Sequence, residues 1–241
     1  MSLIIKKAED LVRGQDFAAL IYSAPGIGKT STAKYLPGKT LVIDIDRTTN
    51  VLAGEPNIDI TYLDTTQPYM ATKMLLADIQ KNHIQNYDNI FIDNLSEFEN
   101  AWFGEKAKES KTKQGKDMGV PQMQDYNAYS YYMLDMIRYI NSWEGVNKVY
   151  TAWETQIPVT TSTGQTYNKF YPDVREKILN GMLGLMTLVG RMVVSSESGN
   201  RGFLLKPSDD TYAKNQLDDR EFALQEDLFN FESVADASDA E

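Results

Sequence analysis

The residues from Ser23 to Thr30 have the types and spacing needed to bind a chain of phosphates. They read Ser-Ala-Pro-Gly-Ile-Gly-Lys-Thr, which differs from the pattern G-x-x-x-x-G-K-[ST] only at its first position. Glycines in such a loop let successive backbone N–H groups point at phosphate oxygens. Lys29 would reach the terminal phosphates, and the Thr30 hydroxyl would bind Mg²⁺. The residues expected to bind the nucleotide are Ser23, Ala24, Pro25, Gly26, Ile27, Gly28, Lys29, Thr30 and Ser31.

The residues on either side of this loop predict the elements that must position it. Phe17 to Tyr22 is a short apolar run typical of a buried strand, and Thr30 to Leu36 can continue as a helix before Pro37-Gly38. The N-terminus of a helix adds the positive end of its dipole to the phosphate site. A strand, a loop, a Lys-Thr pair and a helix in this order favour a nucleoside triphosphate site over a simple glycine-rich turn.

Two acidic positions follow other apolar runs. Asp93 ends the run Asn89 to Asp93, and a carboxylate at the end of a buried strand beside a phosphate loop holds Mg²⁺ directly or through water. Asp46 ends the run that follows the predicted phosphate-loop helix, where a carboxylate could orient a water for attack on the γ-phosphate. Asp44 lies on the same strand face, and either aspartate could instead cap a turn or pair with Arg47.

Apolar strands alternate with helical stretches along the chain, which predicts an α/β fold with a mostly parallel central sheet flanked by helices. The last two strands, near residues 188–195 and 203–207, are expected to be antiparallel. The predicted strands after the first are Thr40 to Asp46, Ile58 to Leu63, Asn89 to Asp93 and Lys148 to Trp153. The predicted helices after the phosphate loop cover Met70 to Ile84, Leu95 to Ala107, Tyr126 to Trp143 and Val174 to Gly184.

Composition limits the possible classes of protein. The 241 residues contain no cysteine and one histidine, which argues against zinc ribbons, disulfide scaffolds and thiol catalysis. No apolar run approaches the roughly 20 residues of a membrane span, so we expect a cytoplasmic protein without membrane contact. The net charge is −10, and Asp218 to Glu241 holds nine acidic residues against Arg220 alone. We therefore predict one domain over residues 1–217 and an acidic, disordered tail over 218–241.

The order of these motifs resembles the RecA-type ATPase core, and in particular the short, core-only RecA-like proteins encoded by bacteriophages. The resemblance covers roughly Asp16 to Gln216, and Asp46 and Asn94 stand where that family has its catalytic acid and a small polar residue. It implies a RecA-like P-loop NTPase that binds ATP and Mg²⁺ and has DNA-stimulated ATPase activity. It also implies a homo-oligomer that acts on single-stranded DNA in phage recombination or replication, by annealing or strand exchange, in the bacterial host cytoplasm.

The same resemblance implies roles for residues outside the motifs. Glu154 stands where the family has a polar γ-phosphate sensor, with Gln156 as the alternative. Lys214 is expected to supply a cation to the nucleotide of a neighbouring subunit, ahead of Arg201 and Lys206. Two loops are expected to bind single-stranded DNA, and a single-strand DNA-binding protein is a possible partner. The first loop, Lys106 to Lys116, has Lys106, Lys108, Lys111, Lys113 and Lys116, and the second, Thr160 to Tyr171, has the base-stacking candidates Tyr167, Phe170 and Tyr171.

Three other functions remain open from the residues alone. An AAA+ protein that loads or remodels a helicase would have an acid after Asp93 and an arginine-bearing helical lid, whereas Asn94 follows here. A small-molecule or nucleotide kinase would need an arginine-rich lid over the phosphates. A nucleotide-gated adaptor that does not hydrolyse ATP would explain the unusual residues Glu154, Asn94 and Gln216.

Overall fold

The computed structural model of this chain describes residues 7–8, 12–112, 115–160 and 163–231. The strands are β1 (Ala18–Ser23), β2 (Thr40–Asp44), β3 (Ile58–Tyr62), β4 (Asn89–Asp93), β5 (Asn147–Thr160), β6 (Thr166–Pro172), β7 (Leu188–Val194), β8 (Arg201–Leu204), β9 (Lys214–Asn215) and β10 (Phe222–Leu224). The α-helices are α1 (Pro68–Asp78), α2 (Leu95–Glu109), α3 (Met123–Asn141) and α4 (Glu176–Gly184). A π-helical turn, Ile79–His83, extends α1, and 3₁₀ segments cover Thr30–Tyr35, Thr49–Leu52, Ile84–Asn86 and Gln225–Asp227.

The central sheet confirms the predicted α/β fold. Its strand order is β10-β8-β7-β1-β5-β4-β2-β3, and the six neighbouring strands from β7 to β3 are parallel. The prediction that β7 is antiparallel is wrong. The helix α4 returns the chain to the end of the sheet where β1 starts, so β7 runs parallel to β1. β8 and β9, in contrast, both run antiparallel to β7. All the parallel strands therefore end at one edge, which carries the phosphate loop.

Both faces of the sheet are covered, as expected for parallel strands with apolar runs. Ala18, Leu20 and Tyr22 of β1 point into one buried cluster, which also contains apolar residues of α1 to α4. The intervening Ala19 and Ile21 belong to a second cluster on the other face. Because β1 is buried on both faces, its carboxyl end has a fixed position from which the phosphate loop begins.

The helix predicted after the phosphate loop is present as a 3₁₀ segment, Thr30–Tyr35. Thr32 N donates to Lys29 O at 3.0 Å, and Leu36 N donates to Ala33 O at 3.3 Å, both with three-residue spacing. The segment ends at Tyr35, two residues before Pro37, and so stops before Pro37-Gly38 as the sequence predicts.

The C-terminal segment, residues 218–231, is part of the fold, so the predicted boundary of a disordered tail at residue 218 is wrong. β10 pairs with β8, and Leu228 and Phe229 are buried in the second cluster. The Phe229 ring stacks on Phe17, the residue before β1, with centroids 5.7 Å apart. Apolar side chains at these positions outweigh the acidic composition of the segment. Residues 232–241, the remainder of the predicted tail, lie outside the described residues.

Gln225 attaches this C-terminal segment to the phosphate loop. Its Nε2 donates to Gly28 O and to Thr32 Oγ1, both at 3.0 Å, and the side chain is buried. We expect Gln225→Ala to lower the free energy of unfolding by about 1–3 kcal/mol, because it leaves buried polar atoms without a partner. Urea denaturation measures this change. Gln85→Ala, at an exposed glutamine, is the control, and equal stability of the two variants would contradict the expectation.

Candidate functional site

The phosphate loop lies between the end of β1 and the 3₁₀ segment at Thr30. Its glycines have positive φ, 80° at Gly26 and 120° at Gly28, which L side chains rarely adopt. A Cβ added at Gly26 would meet no atom within 4 Å, so the backbone conformation is what requires glycine there. Ser23, in contrast, is the last residue of β1 and pairs with Trp153. An extended strand residue accepts a side chain, which explains why serine can replace the first glycine of the pattern.

Lys29 is buried within the loop. Its Nζ donates to the backbone oxygens of Ser23 at 3.0 Å and Ala24 at 3.1 Å, and to Ser23 Oγ at 3.2 Å. Burial lowers the pKa of the Lys29 ammonium, and nearby negative charges oppose this shift. The carboxylates responsible belong to Asp93, Glu154 and Asp46. The loop therefore presents one cation to a group of three acidic side chains.

Asp93 is almost fully buried at the end of β4, between two threonine hydroxyls. Thr30 Oγ1 donates to its Oδ2 at 2.5 Å, and Thr151 Oγ1 of β5 donates to its Oδ1. Burial raises the pKa of Asp93 to about 6, although both hydrogen bonds favour the charged form. This carboxylate therefore carries a desolvation cost that a cation would remove.

The donors at this position fit Mg²⁺ held together with a nucleotide. Mg²⁺ is commonly bound by one or two protein oxygens together with phosphate oxygens and water. The adjacent Thr30 hydroxyl and Asp93 carboxylate would supply the protein oxygens, and the ion would polarise the phosphates when bound. Across the described part of the chain, no group of three or more acidic, histidine or cysteine side chains could hold a metal ion alone.

Asp46 lies at the same edge, just after β2. Its Oδ2 accepts a hydrogen bond from Asn94 Nδ2 at 2.6 Å, and its Oδ1 accepts one from Thr48 Oγ1 at 2.6 Å. Asn94 also caps α2, because its Oδ1 accepts from Glu97 N at 2.7 Å. The residue after Asp93 thus orients the Asp46 carboxylate, which is half-buried and close enough to Asp93 to raise its pKa.

Asp44, two residues earlier, caps a turn. The sequence allowed this structural role for either Asp44 or Asp46. Asp44 is fully buried, and its carboxylate accepts from Arg47 N at 2.7 Å and Thr49 Oγ1 at 2.6 Å. These bonds hold the turn after β2, in which Arg47 has a positive φ of 62°. Asp44 therefore fixes the backbone that presents Asp46, and Asp46 is the aspartate at the edge of the sheet.

Glu154, the predicted γ-phosphate sensor, lies on β5 and is paired with an arginine. Its Oε2 accepts from Arg191 Nε of β7 at 2.9 Å, and both side chains are mostly buried. The Arg191 guanidinium lies 3.4 Å from the centre of the Phe170 ring of β6. Glu154 is also one of the charges that act on Lys29. The Glu154–Arg191 pair therefore contacts β6 through Phe170 and acts on the charge of Lys29 in the phosphate loop.

Lys214 lies away from this edge. It pairs with Val189 of β7, which pairs with Leu20 of β1. Leu20 lies three residues before Ser23, where the phosphate loop begins. Lys214 Nζ donates to Met186 O at 2.5 Å and Leu183 O at 3.4 Å, just after and within the last turn of α4. A lysine that binds the carbonyls at a helix C-terminus is a cap. The prediction that Lys214 reaches a neighbouring nucleotide is not supported by this geometry.

In the first predicted DNA loop, Lys106 to Lys116, two of the described lysines are paired with acidic side chains. Lys106 and Lys108 belong to the last turn of α2, and Lys106 pairs with Glu109 at 2.7 Å. Lys111 pairs with Asp117, and the backbones of these two residues form an isolated β-bridge. Lys108 and Lys116 are exposed. Lys113 lies outside the described residues.

The second predicted DNA loop, Thr160 to Tyr171, is a β-hairpin, so its description as a loop is wrong. β5 continues past the sheet to Thr160, and β6 returns antiparallel to it, pairing Val159 with Tyr167. Two of the three predicted stacking rings have contacts within the chain, since Phe170 packs on Arg191 and Tyr171 stacks on Tyr212. Tyr167 is half-exposed, and it is the candidate that agrees best with the prediction.

Several residues of this edge were missed by sequence reasoning. Thr151 contacts Asp93 from the neighbouring strand, and Arg191 contacts Glu154 from two strands away. Only the strand order shows that these residues meet. Gln225 lies in a segment whose acidic composition predicts disorder. The family resemblance offers Arg201 only as a cation for another subunit, whereas it packs beside Gly28 of its own phosphate loop.

Comparisons with known proteins agree with this geometry at the level of the family. No described helix has the length and apolar character needed to cross a membrane. A search of curated proteins finds no match to the chain. The family model of an AAA domain, AAA_24, matches residues 16–217, which include the phosphate loop, Asp46, Asp93 and Glu154. A P-loop ATPase domain of this kind implies nucleotide binding, usually with Mg²⁺. The chain therefore belongs to the AAA_24 family of AAA domains.

Proposed function

We propose that this chain hydrolyses ATP with Mg²⁺ and acts as a RecA-like homo-oligomer on single-stranded DNA, by annealing or strand exchange in phage recombination or replication. Lys29 and Thr30 would bind the phosphates and Mg²⁺ with Asp93, and Asp46 would orient the attacking water. The Asp46 carboxylate supports this role because two side-chain hydrogen bonds hold it beside Asp93. A single-strand DNA-binding protein would be a natural partner.

The observation that carries the proposal is the connection from the phosphate loop to the β5–β6 hairpin. Glu154 acts on the Lys29 charge and is bound to Arg191, which packs on Phe170 of the hairpin. A change of charge at the γ-phosphate would alter the Glu154–Arg191 pair and therefore the position of β6. A polymer bound to the hairpin would influence the nucleotide through the same contacts, as DNA-stimulated turnover requires.

The second candidate is an AAA+ protein that loads or remodels a replication helicase, and the family match favours it. Two features oppose this candidate. Asn94, not an acid, follows Asp93, and the described residues after α4 form β7 to β10 in place of a helical lid.

We expect single-stranded DNA to increase ATP turnover and duplex DNA to do so less. Tyr167→Ala is expected to weaken binding to single-stranded DNA about 5- to 100-fold, because stacking contributes about 1–3 kcal/mol per base. Fluorescence anisotropy of a labelled oligonucleotide and a steady-state ATPase assay measure the two effects.

Tyr131→Ala provides the matched control, since Tyr131 is a 73 % exposed tyrosine on α3, away from the hairpin. It should bind the oligonucleotide as the unmodified protein does. If the unmodified protein shows neither oligonucleotide binding nor a change in ATP turnover with single-stranded DNA, the proposal is wrong. A protein that binds DNA equally well with and without Tyr167 would exclude the hairpin as the stacking site.

A further inference from the structure

The turn between β7 and β8 approaches the phosphate loop from the side opposite the acidic residues. In the sheet, β4 and β2 lie on one side of β1, and β7 and β8 lie on the other. Asp93 and Asp46 follow β4 and β2, so the γ-phosphate would lie on their side of the loop. Arg201 is the first residue of β8. It therefore lies on the side where the α-phosphate and the nucleoside would extend.

Arg201 is close enough to the loop to contact a nucleotide bound there. A methyl group placed on Gly28 would lie 3.2 Å from Arg201 Nε and 3.4 Å from its Cζ. A side chain at residue 28 would compete with this guanidinium for space. The Arg201 side chain is exposed, and the hydrogen bonds and ion pairs recorded among the described residues do not include it. Its donors are therefore available for an anion at the loop.

A cavity of about 240 Å³ continues from Arg201 along the C-terminal segment. Gly199, Asn200 and Arg201 line one wall, Leu224 to Glu226 line another, and Tyr35 closes one end. Gln225 links this cavity to the loop through its hydrogen bond to Gly28 O. The cavity offers an aromatic ring, amide groups and one carboxylate, which suit a nucleoside and its sugar hydroxyls better than a second phosphate.

We propose that Arg201 binds, within its own subunit, the α-phosphate at the nucleoside end of the nucleotide held by the phosphate loop. This inference rests on the nucleotide-binding part of the proposed function and is independent of DNA. An arginine contact to a phosphate is charge-assisted and bidentate where geometry allows. Because ADP and ATP share this end, Arg201 contributes to the binding of both.

The test is the affinity of Mg²⁺–ADP and Mg²⁺–ATP, measured by calorimetry without DNA. Arg201→Ala is expected to weaken both nucleotides by the same factor, about tenfold or more. Arg201→Lys is expected to recover part of the loss, since lysine keeps the charge but loses the planar fork. Arg138→Ala removes another exposed arginine, on α3, and should bind both nucleotides normally.

Three outcomes would overturn this assignment. Unchanged ADP affinity in Arg201→Ala would make Arg201 a surface residue. A loss confined to ATP would move its contact to the γ-phosphate. Restored affinity on mixing Arg201→Ala with Lys29→Ala subunits would mean that Arg201 acts on a neighbouring subunit. None of these outcomes depends on DNA, so a protein that ignores DNA would refute the proposed function and leave this test intact.

Discussion

Asp46→Asn is expected to lower ATP turnover at least about 100-fold while ATP affinity changes by less than about threefold. Asparagine has nearly the same shape and can still accept the hydrogen bond from Asn94 Nδ2, which is 2.6 Å long in the unmodified protein. The local structure should therefore persist, and the variant loses only the negative charge that we propose orients the attacking water. Steady-state hydrolysis and equilibrium nucleotide binding separate these two effects.

The matched comparison for this variant is Glu154→Gln. Glu154 is another of the three carboxylates near Lys29, but it is held in an ion pair with Arg191 at 2.9 Å. Glutamine at residue 154 should therefore reduce turnover much less than asparagine at residue 46. The assignment of Asp46 would be wrong if the two effects were reversed. Stability of both variants to urea shows whether a loss of turnover arises from unfolding.

The parts of the site that could be predicted from the sequence are those specified by neighbouring residues. The spacing from Ser23 to Thr30 predicts the loop because its glycines have positive φ and its lysine folds back onto the same few residues. Asp93 was placed at a strand end because the apolar run before it is short and buried. Local patterns such as these also predicted the α/β fold.

Contacts between distant residues required the strand order, which no local pattern contains. Thr151 meets Asp93 because β5 lies beside β4. Arg191 meets Glu154 because only one strand, β1, lies between β5 and β7. The sequence predicts a loop in place of the β5–β6 hairpin because residues 160–166 are all threonine, serine, glycine or glutamine. The flanking residues pair as strands, since the hairpin continues from a strand already fixed in the sheet.

The C-terminal segment shows why composition alone gave the wrong boundary. Acidic residues outnumber basic residues in this segment. Folding, however, depends on whether its apolar side chains have a surface to cover. Leu228 and Phe229 cover the face of the sheet beside the phosphate loop, and Gln225 satisfies a loop carbonyl. A few well-placed residues in an acidic segment are sufficient for order, and they bring this segment to the candidate nucleotide site.

Asp93→Asn is expected to abolish the effect of Mg²⁺ on nucleotide binding and to stabilise the nucleotide-free protein. The buried carboxyl has a pKa of about 6, compared with an ordinary value of 3.8. The folded protein therefore holds this proton more tightly than the unfolded chain does, and stability is lost as pH rises from about 4 to about 6. Above that range the cost persists at about 1–3 kcal/mol, which the neutral asparagine avoids.

Urea denaturation at pH 5 and pH 8 in the presence of EDTA measures this cost, and the gain in stability from Asp93→Asn should be larger at pH 8. Asp44→Asn is the control, because Asp44 is equally buried and pairs with Asp93 in the sheet register. Its carboxylate is satisfied by Arg47 N and Thr49 Oγ1, so its replacement should destabilise the protein. If Asp93→Asn were destabilising to the same extent, Asp93 would be a structural residue like Asp44. A stabilising effect would instead indicate a residue whose burial lowers stability in order to hold a cation.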